Sequence, residues 1–468
     1  MVAYDRIKVG FTSEDIGRKR FRMFQKATRD MSIYAKIAYG ILASMSVLIP
    51  LAAGSQYYPI VATNSQFGLF KMASFFLLTG FCALFCALDI FLGDREIRWH
   101  ALMWCALAYL AFVVLSFVFS IDKNVSLFGD YDRFAGVIPT ALTVILLFLS
   151  LQLIRNNNGM RFFMHLFVLT SVLLAGYGLA QSFGIETAHF ANANIMGRRS
   201  FSLYGNPNLY AGYLCFSVFF SAGLLFSEKR GGWRALYWVA LLLNLAVVLT
   251  SMTRSVWLAV VVAVPLFVIF LLRQKISLER SDTYILGGGA LAAIAFIFAT
   301  FTRKTADLNI ATRLASMFSS EGSSGTRIEM WKSALTIIKE YPLFGAGPDT
   351  FEITGMSHLT NRYLDLVGLG EIPNNAHCLP LQLAATIGIF GTLAYYGVCI
   401  YAVVVAWKYA WANEDKAQSN AKIVYAAVLC AVIAFSVNCL VSIADIGVVP
   451  FYWIALGYLV VPRATTVT

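Results

Sequence analysis

The chain has 468 residues, of which 59% are hydrophobic and 13% are charged, and its formal net charge is +11. The charged fraction is about half that of an ordinary soluble protein, which excludes a water-soluble globular fold. The apolar runs are continuous and too long for the alternating strands of a membrane β-barrel, so we predict an all-α polytopic membrane protein.

Apolar segments long enough to cross a bilayer recur along the chain, and we predict twelve spans. They lie near residues 34–54, 69–92, 101–120, 134–154, 162–184, 206–226, 235–252, 256–272, 284–302, 379–407, 423–443 and 448–462. The chain thus divides into a basic tail (1–33), nine spans (34–302), a long polar loop (303–378), three spans (379–462) and a short tail (463–468). Within residues 379–407, Gly388 and Gly391 are expected to break the helix.

The positive charges predict the orientation. Eight lysines and arginines precede the first span, namely Arg6, Lys8, Arg18, Lys19, Arg20, Arg22, Lys26 and Arg29. With both termini cytoplasmic, 22 Lys and Arg lie in cytoplasmic segments and 12 on the other side, 7 of them in the long loop. Because long loops weigh little in orientation, we expect that loop to be extracytoplasmic. The tail charges also suit anionic lipid headgroups, and we predict no nucleic-acid binding.

The long loop carries a helical pattern over residues 326–340. Ile328, Trp331, Leu335 and Ile338 share one face, which predicts an amphipathic helix that lies on the membrane or caps the bundle. Ser323 and Ser324 precede it and are N-cap candidates. Pro342 is expected to end the helix, and Gly345 and Gly347 are expected to form a turn.

His377 is the candidate general base, because a histidine can accept a proton from a hydroxyl near neutral pH. It precedes the tenth predicted span, at its extracytoplasmic mouth. Asn375 and Gln382 lie close to it in sequence and are candidate contacts to a glycan or a phosphate. The alternative is a helix-end histidine that hydrogen-bonds the neighbouring backbone.

Arg254 and Arg327 are the candidate phosphate ligands, because a guanidinium matches phosphate oxygens. Arg254 lies in a tight hairpin between two apolar runs, where the alternative is an arginine that reaches a lipid headgroup. Arg327 opens the amphipathic helix, where a helix N-terminus already attracts anions and where a solvated charge is the alternative. Together with His377, they predict a site that holds a diphosphate and deprotonates a hydroxyl.

Further polar residues are expected on the same membrane face. Asn206 and Asn208 open a span and could bind sugar or phosphate oxygens, with N-capping around Pro207 as the alternative. Arg198 and Arg199 would add positive potential just upstream. In GDYDRFAG (Gly129–Gly136), the charged residues are interpreted as a local salt-bridged turn.

Four motifs in this order resemble the O-antigen ligase and polymerase family, which also includes some bacterial protein O-oligosaccharyltransferases. They are TRSVW (Thr253–Trp257), GTRIEMW (Gly325–Trp331), PLFGAGPDTF (Pro342–Phe351) and NNAHCLPLQL (Asn374–Leu383). The resemblance covers about residues 205–391. The family often has asparagine directly after the histidine, whereas this chain has Cys378 there.

The resemblance implies a GT-C type fold and the transfer of a whole glycan from undecaprenyl diphosphate to an acceptor hydroxyl, at the periplasmic face of the bacterial inner membrane. It implies an inverting, metal-independent reaction with His377 as base and with Arg254 and Arg327 on the diphosphate. The sequence has no acidic cluster suited to Mg²⁺ and no P-loop, so we predict no cofactor.

Several alternatives stay open for the function. The acceptor could be a growing lipid-linked glycan, which the motif GDYDRFAG slightly favours, or lipid A–core, or a protein. Expected partners are the lipid-linked donor, the acceptor, the bilayer and a chain-length regulator or other polysaccharide-assembly proteins. A lipid-linked glycan transporter is the alternative from another class, and Asp89 is then the clearest intramembrane charge.

Overall fold

The structure is a computed structural model. It describes residues 22–54, 65–93, 95–131, 133–185, 197–229, 231–276, 279–302, 310, 313, 322–368, 372–412 and 419–461. Regular structure in these residues is helical. Since a helix pairs its own backbone N–H and C=O groups, it is the form that long apolar segments take in lipid.

Twelve helices lie where the twelve spans were predicted. They are α1 (Ile33–Leu51), α2 (Ser65–Leu92), α3 (Ala101–Val118), α5 (Val137–Leu153), α6 (Asn157–Ser182), α7 (Pro207–Ser227), α8 (Gly231–Thr250), α9 (Arg254–Arg273), α10 (Arg280–Thr302), α14 (Leu379–Trp411), α15 (Ser419–Leu440) and α16 (Val449–Val460). A short helix α4 (Lys123–Phe128) precedes α5, and the long loop contributes α11 (Gly322–Glu340), α12 (Phe351–Ser357) and α13 (Asn361–Val367).

Nine helices of the described residues, α1–α3, α6–α9, α14 and α15, are long and apolar enough to cross a membrane. Two more, α5 and α16, are apolar but shorter, at 17 and 12 residues. These helices confirm the predicted all-α polytopic membrane protein.

The centre of the bundle is the pair α7 and α15, because nearly all of α7 is buried. Small residues let the two backbones approach closely. A Cβ atom added to Gly223 of α7 would lie 2.3 Å from the Cβ of Ala427 of α15. Membrane helices commonly pack through small residues, because the hydrophobic effect does not drive helices together in lipid and close van der Waals contact must do so.

The long loop is folded onto the bundle through α11, which packs against α14. Its buried residues include Met330, Ala334 and Ile337. Helix α11 therefore caps the bundle with this buried face. Ile328 and Leu335 of the predicted apolar face are 42% and 48% exposed beside it, where they could contact the membrane.

The predicted N-cap of this helix was wrong. Helix α11 begins at Gly322, so Ser323 and Ser324 lie within its first turn. Their hydroxyls accept hydrogen bonds from the guanidinium of Arg254 instead. The predicted end was correct, since α11 stops at Glu340, two residues before Pro342.

Helix α14 is broken at Gly388, as predicted, where φ is 71° and ψ is 179°. The turn of the long loop after Pro342 fits into this break. The N–H groups of Ala346 and Gly347 donate to the carbonyl oxygens of Ala385 and Thr386, at 3.0 and 2.9 Å. The loop thereby pairs backbone groups that the break leaves without a partner in the helix. Gly391 keeps the helical course.

Candidate active site

His377 lies in a short segment between the long loop and α14, and hydrogen bonds hold this segment in place. Its own N–H donates to Oδ1 of Asn375 at 2.7 Å. The neighbouring Ala376 donates its N–H to Oε1 of Gln382 at 2.8 Å and accepts a hydrogen bond from Nε1 of Trp331 at 3.0 Å. The backbone of His377 has a φ of 47°, a left-handed conformation that costs energy for a residue with a side chain. Three separate hydrogen bonds therefore fix the backbone of this segment in a strained conformation.

The imidazole of His377 is held neutral. Its Nδ1 atom is buried and has no hydrogen-bond partner within the described residues. Burial, followed by the positive charges of Arg327 and Arg133, lowers the pKa of His377 to about 3. A neutral imidazole can accept a proton, so the state of His377 is compatible with a general base.

His377 faces two open spaces. One is a cavity of ≈ 210 Å³, which we call the inner cavity. Its lining comprises Phe67, Gly68, Lys71, Arg133, Tyr204, Gly205, Asn206, Asn208, Leu209, Asn374, Asn375, His377, Ile443, Ala444 and Asp445. The other is a more open cleft of ≈ 450 Å³ towards the long loop, bordered by Met330, Glu352 and Tyr363 among others. A substrate group in either space could reach the imidazole.

Four arginines form a cationic cluster beside this segment: Arg199, Arg254, Arg313 and Arg327. Burial, followed by their mutual repulsion, lowers the pKa of Arg199 to about 9 and that of Arg327 to about 10. Both remain protonated near neutral pH.

Three guanidinium groups of the cluster donate hydrogen bonds to neutral oxygens. Arg327 donates to the carbonyl oxygen of Val441 at 2.9 Å, and Arg199 donates to that of Ser251 at 2.9 Å. Arg254 bonds to Ser324 at 2.7 Å. Positive charges gathered on neutral partners suit an anion such as a diphosphate.

The structure brings most of the sequence-predicted residues together. Arg254, Arg327 and Arg199 share the cluster, and Arg327 is near enough to act on His377. Asn206 caps α7 by accepting from the N–H of Asn208 at 2.8 Å, and both asparagines also line the inner cavity. The side chain of Arg198 is exposed.

Two of the remaining predicted contacts have structural roles. Asn375 and Gln382 hold the His377 segment through the hydrogen bonds given above. Asn375 also lines the inner cavity, whereas Gln382 lines a separate apolar cavity of ≈ 120 Å³ on the other side of Arg133.

Three charged residues at the site were not predicted as site residues. Arg133, which was interpreted as part of a local salt-bridged turn, pairs with Asp349 of the long loop. Lys71 and Asp445 face one another in the inner cavity, and the charge of Lys71 counteracts the rise that burial causes in the pKa of Asp445. Lys71 carried a sequence signal, since a lysine inside an apolar segment is costly and is usually functional.

Among the described residues, no group of three histidines, cysteines or carboxylates is arranged to hold a metal ion. The site thus consists of a neutral histidine, a cationic cluster and a polar cavity at one end of a helical membrane bundle. A membrane protein with this combination can bind an anionic group and accept a proton from a hydroxyl.

The family comparison agrees with this class. Residues 239–396 match the sequence model of a family described as O-antigen ligase, and the match includes Arg254, Arg327 and His377. It confirms the resemblance of this chain to the O-antigen ligase and polymerase family, and that family implies a membrane glycosyltransferase with lipid-linked glycan substrates. No curated protein matches the chain.

Proposed function

We propose that the protein transfers a glycan en bloc from undecaprenyl diphosphate to an acceptor sugar hydroxyl, at the periplasmic face of the bacterial inner membrane. The reaction serves the assembly of a surface polysaccharide such as O-antigen, and the acceptor is a lipid-linked glycan, as in a polymerase. Both termini are cytoplasmic. The charge count of 22 against 12 Lys and Arg supports this orientation, since 7 of the 12 lie in the long loop.

The observation that carries the proposal is the position of His377 between the cationic cluster and the inner cavity. Its neutral imidazole takes the proton of the acceptor hydroxyl, and the oxygen attacks the anomeric carbon of the donor glycan. The bond between that carbon and the diphosphate oxygen breaks, with inversion at the carbon. Arg254 and Arg327 stabilise the charge on the leaving diphosphate, a role that divalent metal ions fill in other transferases.

The imidazole then returns its proton to water or to the departing phosphate. Because fixed guanidinium groups stabilise the leaving group, transfer is expected to survive EDTA. Loss of activity on chelation, restored by Mg²⁺ or Mn²⁺, would contradict the role given to the arginines.

The test is transfer in vitro from a lipid-linked donor with purified, monodisperse protein. His377→Ala is expected to lower kcat by about 10²–10⁴-fold, which is the usual contribution of a general base. His358→Gln is the matched control. His358 lies in the same loop, but its Nδ1 is 2.7 Å from the carbonyl oxygen of Thr354 and its Nε2 is 2.9 Å from Glu340.

Near-normal turnover of His377→Ala, or an equal loss in His358→Gln, would remove His377 as the base. The same assay distinguishes the products when lipid-linked glycan, lipid A–core and a protein are offered as acceptors. Transfer to lipid A–core alone would identify a ligase, and transfer to protein alone would identify an oligosaccharyltransferase.

A further inference from the structure

The inner cavity contains the polar groups that recognise sugars. Four asparagines, Asn206, Asn208, Asn374 and Asn375, and one carboxylate, that of Asp445, line it. Amides and carboxylates together donate to and accept from hydroxyl groups, and a carboxylate offers about four acceptor positions. Phe67 and Tyr204 add aromatic surface to the same lining. Polar groups that converge on one cavity beside aromatic surface suit a ligand that carries several hydroxyl groups.

Asp445 is held in place by contacts on two sides. Its Oδ1 accepts a hydrogen bond from the N–H of Gly447 at 2.9 Å. Lys71 faces it, and the two opposite charges attract each other. A Cβ atom added to Gly447 would lie 2.6 Å from Cδ of Lys71 and 2.8 Å from Oδ1 of Asp445, so the three groups are closely packed.

Lys71 is itself fixed, although it is a long side chain on an apolar helix. It is 1% exposed, and its Nζ donates to the carbonyl oxygens of Ala52 and Pro50 at 2.6 and 3.3 Å. The same ammonium group lies 4.7 Å from the centre of the Tyr204 ring. A buried lysine with three such partners has no freedom to act as a mobile phosphate ligand. Its position instead stabilises the carboxylate opposite it.

The charges of the inner cavity distinguish it from the cationic cluster. The two cations of the inner cavity each have a carboxylate partner, Arg133 in Asp349 and Lys71 in Asp445. The carboxylate of Asp445 can in addition accept hydrogen bonds from neutral hydroxyls. His377 borders the same cavity, so a hydroxyl bound there lies beside the proposed base. The loop between α15 and α16 joins the two regions, because Val441 bonds to Arg327 and Asp445 lines the cavity.

We infer that the inner cavity is a subsite for a neutral saccharide, in which Asp445 accepts hydrogen bonds from the hydroxyls of the acceptor sugar and Lys71 positions that carboxylate. This inference rests on the proposed function for the identity of the sugar as acceptor. Asp445 is then a binding residue, and Lys71 acts through it.

Binding is tested without turnover by saturation-transfer-difference NMR on the detergent-solubilised full chain. The probes are glucose, galactose, N-acetylglucosamine and the oligosaccharide released by mild acid from the lipid-linked glycans of the producing cells. At least one probe is expected to bind both the wild type and His377→Ala. Its affinity is expected to fall 10-fold or more in Asp445→Asn and in Lys71→Met.

Asp282→Asn is the matched control, because Asp282 is also a buried carboxylate but pairs with Arg234 and Trp238 outside this cavity. It is expected to bind the probes as the wild type does. Asn208→Ala is a milder cavity variant for the case that the charged variants do not fold, and it is expected to weaken binding about 3-fold or more, as for one lost hydrogen bond. No binding of any probe to the wild type, or equal binding to Asn208→Ala and every folded charge variant, would overturn the subsite.

Kinetic measurements of glycan transfer distinguish a failure of this inference from a failure of the proposed function. Asp445→Asn and Lys71→Met are expected to raise the acceptor KM at least 10-fold, with little change in kcat or in the donor KM. A fall in kcat at an unchanged acceptor KM would mean that Asp445 acts in the chemical step, and the binding role would fail. Sugar binding by a wild type that transfers no glycan would reject the proposed function and leave the subsite standing.

Discussion

Arg133 and Asp349 form a buried ion pair, although they lie 216 positions apart in the chain. Asp349 also accepts hydrogen bonds from the backbone N–H groups of Asp130 and Ala135, at 2.8 and 3.0 Å. The carboxylate thus joins the long loop to the turn between α4 and α5. The guanidinium on its other side lines the inner cavity and acts on His377. One pair therefore fixes both the loop and one wall of the site.

Removal of one member of this pair is expected to destabilise the protein. Asp349→Ala leaves a buried guanidinium without its counter-charge and should lower the free energy of unfolding by about 3–5 kcal/mol. Asp365→Ala is the control, because Asp365 is exposed on α13, and it should change the stability by less than about 0.5 kcal/mol. The thermal unfolding midpoint of purified protein measures both. Equal midpoints for the two variants would show that the buried pair contributes nothing.

The contact between the long loop and the break in α14 should tolerate no side chain. A Cβ atom on Gly345 would lie 2.3 Å from the carbonyl group of Thr386, and one on Gly388 would lie 2.2 Å from the carbonyl oxygen of Leu343. Both glycines have positive φ, so Gly345→Ala and Gly388→Ala should each cost more than about 1 kcal/mol.

Gly397 supplies the matched control for these two variants. Gly397 lies in α14, as Gly388 does, but a Cβ atom at Gly397 would have no neighbouring atom within 4 Å. Gly397→Ala should therefore keep or raise the unfolding midpoint, since alanine favours a helix by up to about 1 kcal/mol over glycine. A midpoint for Gly345→Ala at or above that of Gly397→Ala would contradict the close contact.

The cationic cluster is tested by arginine variants. Arg254→Ala and Arg327→Ala should each lower transfer by about 10²–10³-fold, the usual effect of losing one group that stabilises the transition state. Lysine should restore only part of this loss, because it keeps the charge but not the planar fork. Arg362→Ala, an exposed arginine on α13, should retain its activity. Full activity of both alanine variants would contradict the role in transfer and would indicate that these two arginines contact lipid headgroups instead.

The pH dependence of turnover should report the charge around His377. The neutral imidazole is the active form, and burial with Arg327 and Arg133 lowers its pKa to about 3 in the free protein. The acid limb of kcat/KM from His377 should therefore lie well below pH 6.5, the range of a free histidine. A bound diphosphate favours the protonated imidazole, so the acid limb of kcat should lie at higher pH than that of kcat/KM.

The two pH profiles are measured on the wild type and on His358→Gln, which should behave alike. An acid limb of kcat/KM near pH 6.5 in both would show that burial and the two arginines do not lower the pKa of His377. Coincident acid limbs for kcat and kcat/KM would show that the diphosphate does not bind close to the imidazole.

The orientation is tested by thiol labelling in intact cells. A cysteine at Ser357, exposed on α12, should react with a membrane-impermeant reagent applied from the periplasm. A cysteine at Ser281, exposed at the start of α10, should react only after the inner membrane is broken. Both are placed in a Cys105→Ser background, since the other seven native cysteines are buried. The reverse pattern would place the long loop in the cytoplasm.

Local patterns predicted the elements of this protein well, because hydropathy over about twenty residues dictates a membrane helix. All twelve predicted spans have a helix, and Gly388 breaks α14 as its sequence indicated. His377, Arg254 and Arg327 stood out as isolated charged or titratable residues beside apolar segments on one predicted membrane face.

The pairing of distant residues could not be predicted in the same way. Lys71 and Asp445 belong to opposite ends of the chain, and only the packing of α2 near the α15–α16 loop brings them together. Arg133 had an acidic neighbour in its own motif, so a local pair was the simpler interpretation, whereas the fold supplies Asp349. Ser323 and Ser324 preceded an apolar pattern like N-caps, but the helix begins at Gly322 and their hydroxyls bond to Arg254, which is 69 and 70 positions away.

The break in α14 has a consequence for exchanging parts between related proteins. A membrane helix can be interrupted only where other groups satisfy its backbone, and each unsatisfied group in lipid costs several kcal/mol. Here the N–H groups of Ala346 and Gly347 fill that role. A chimera that receives a foreign long loop must therefore also receive the matching first half of α14, because the two segments are complementary at the level of the main chain.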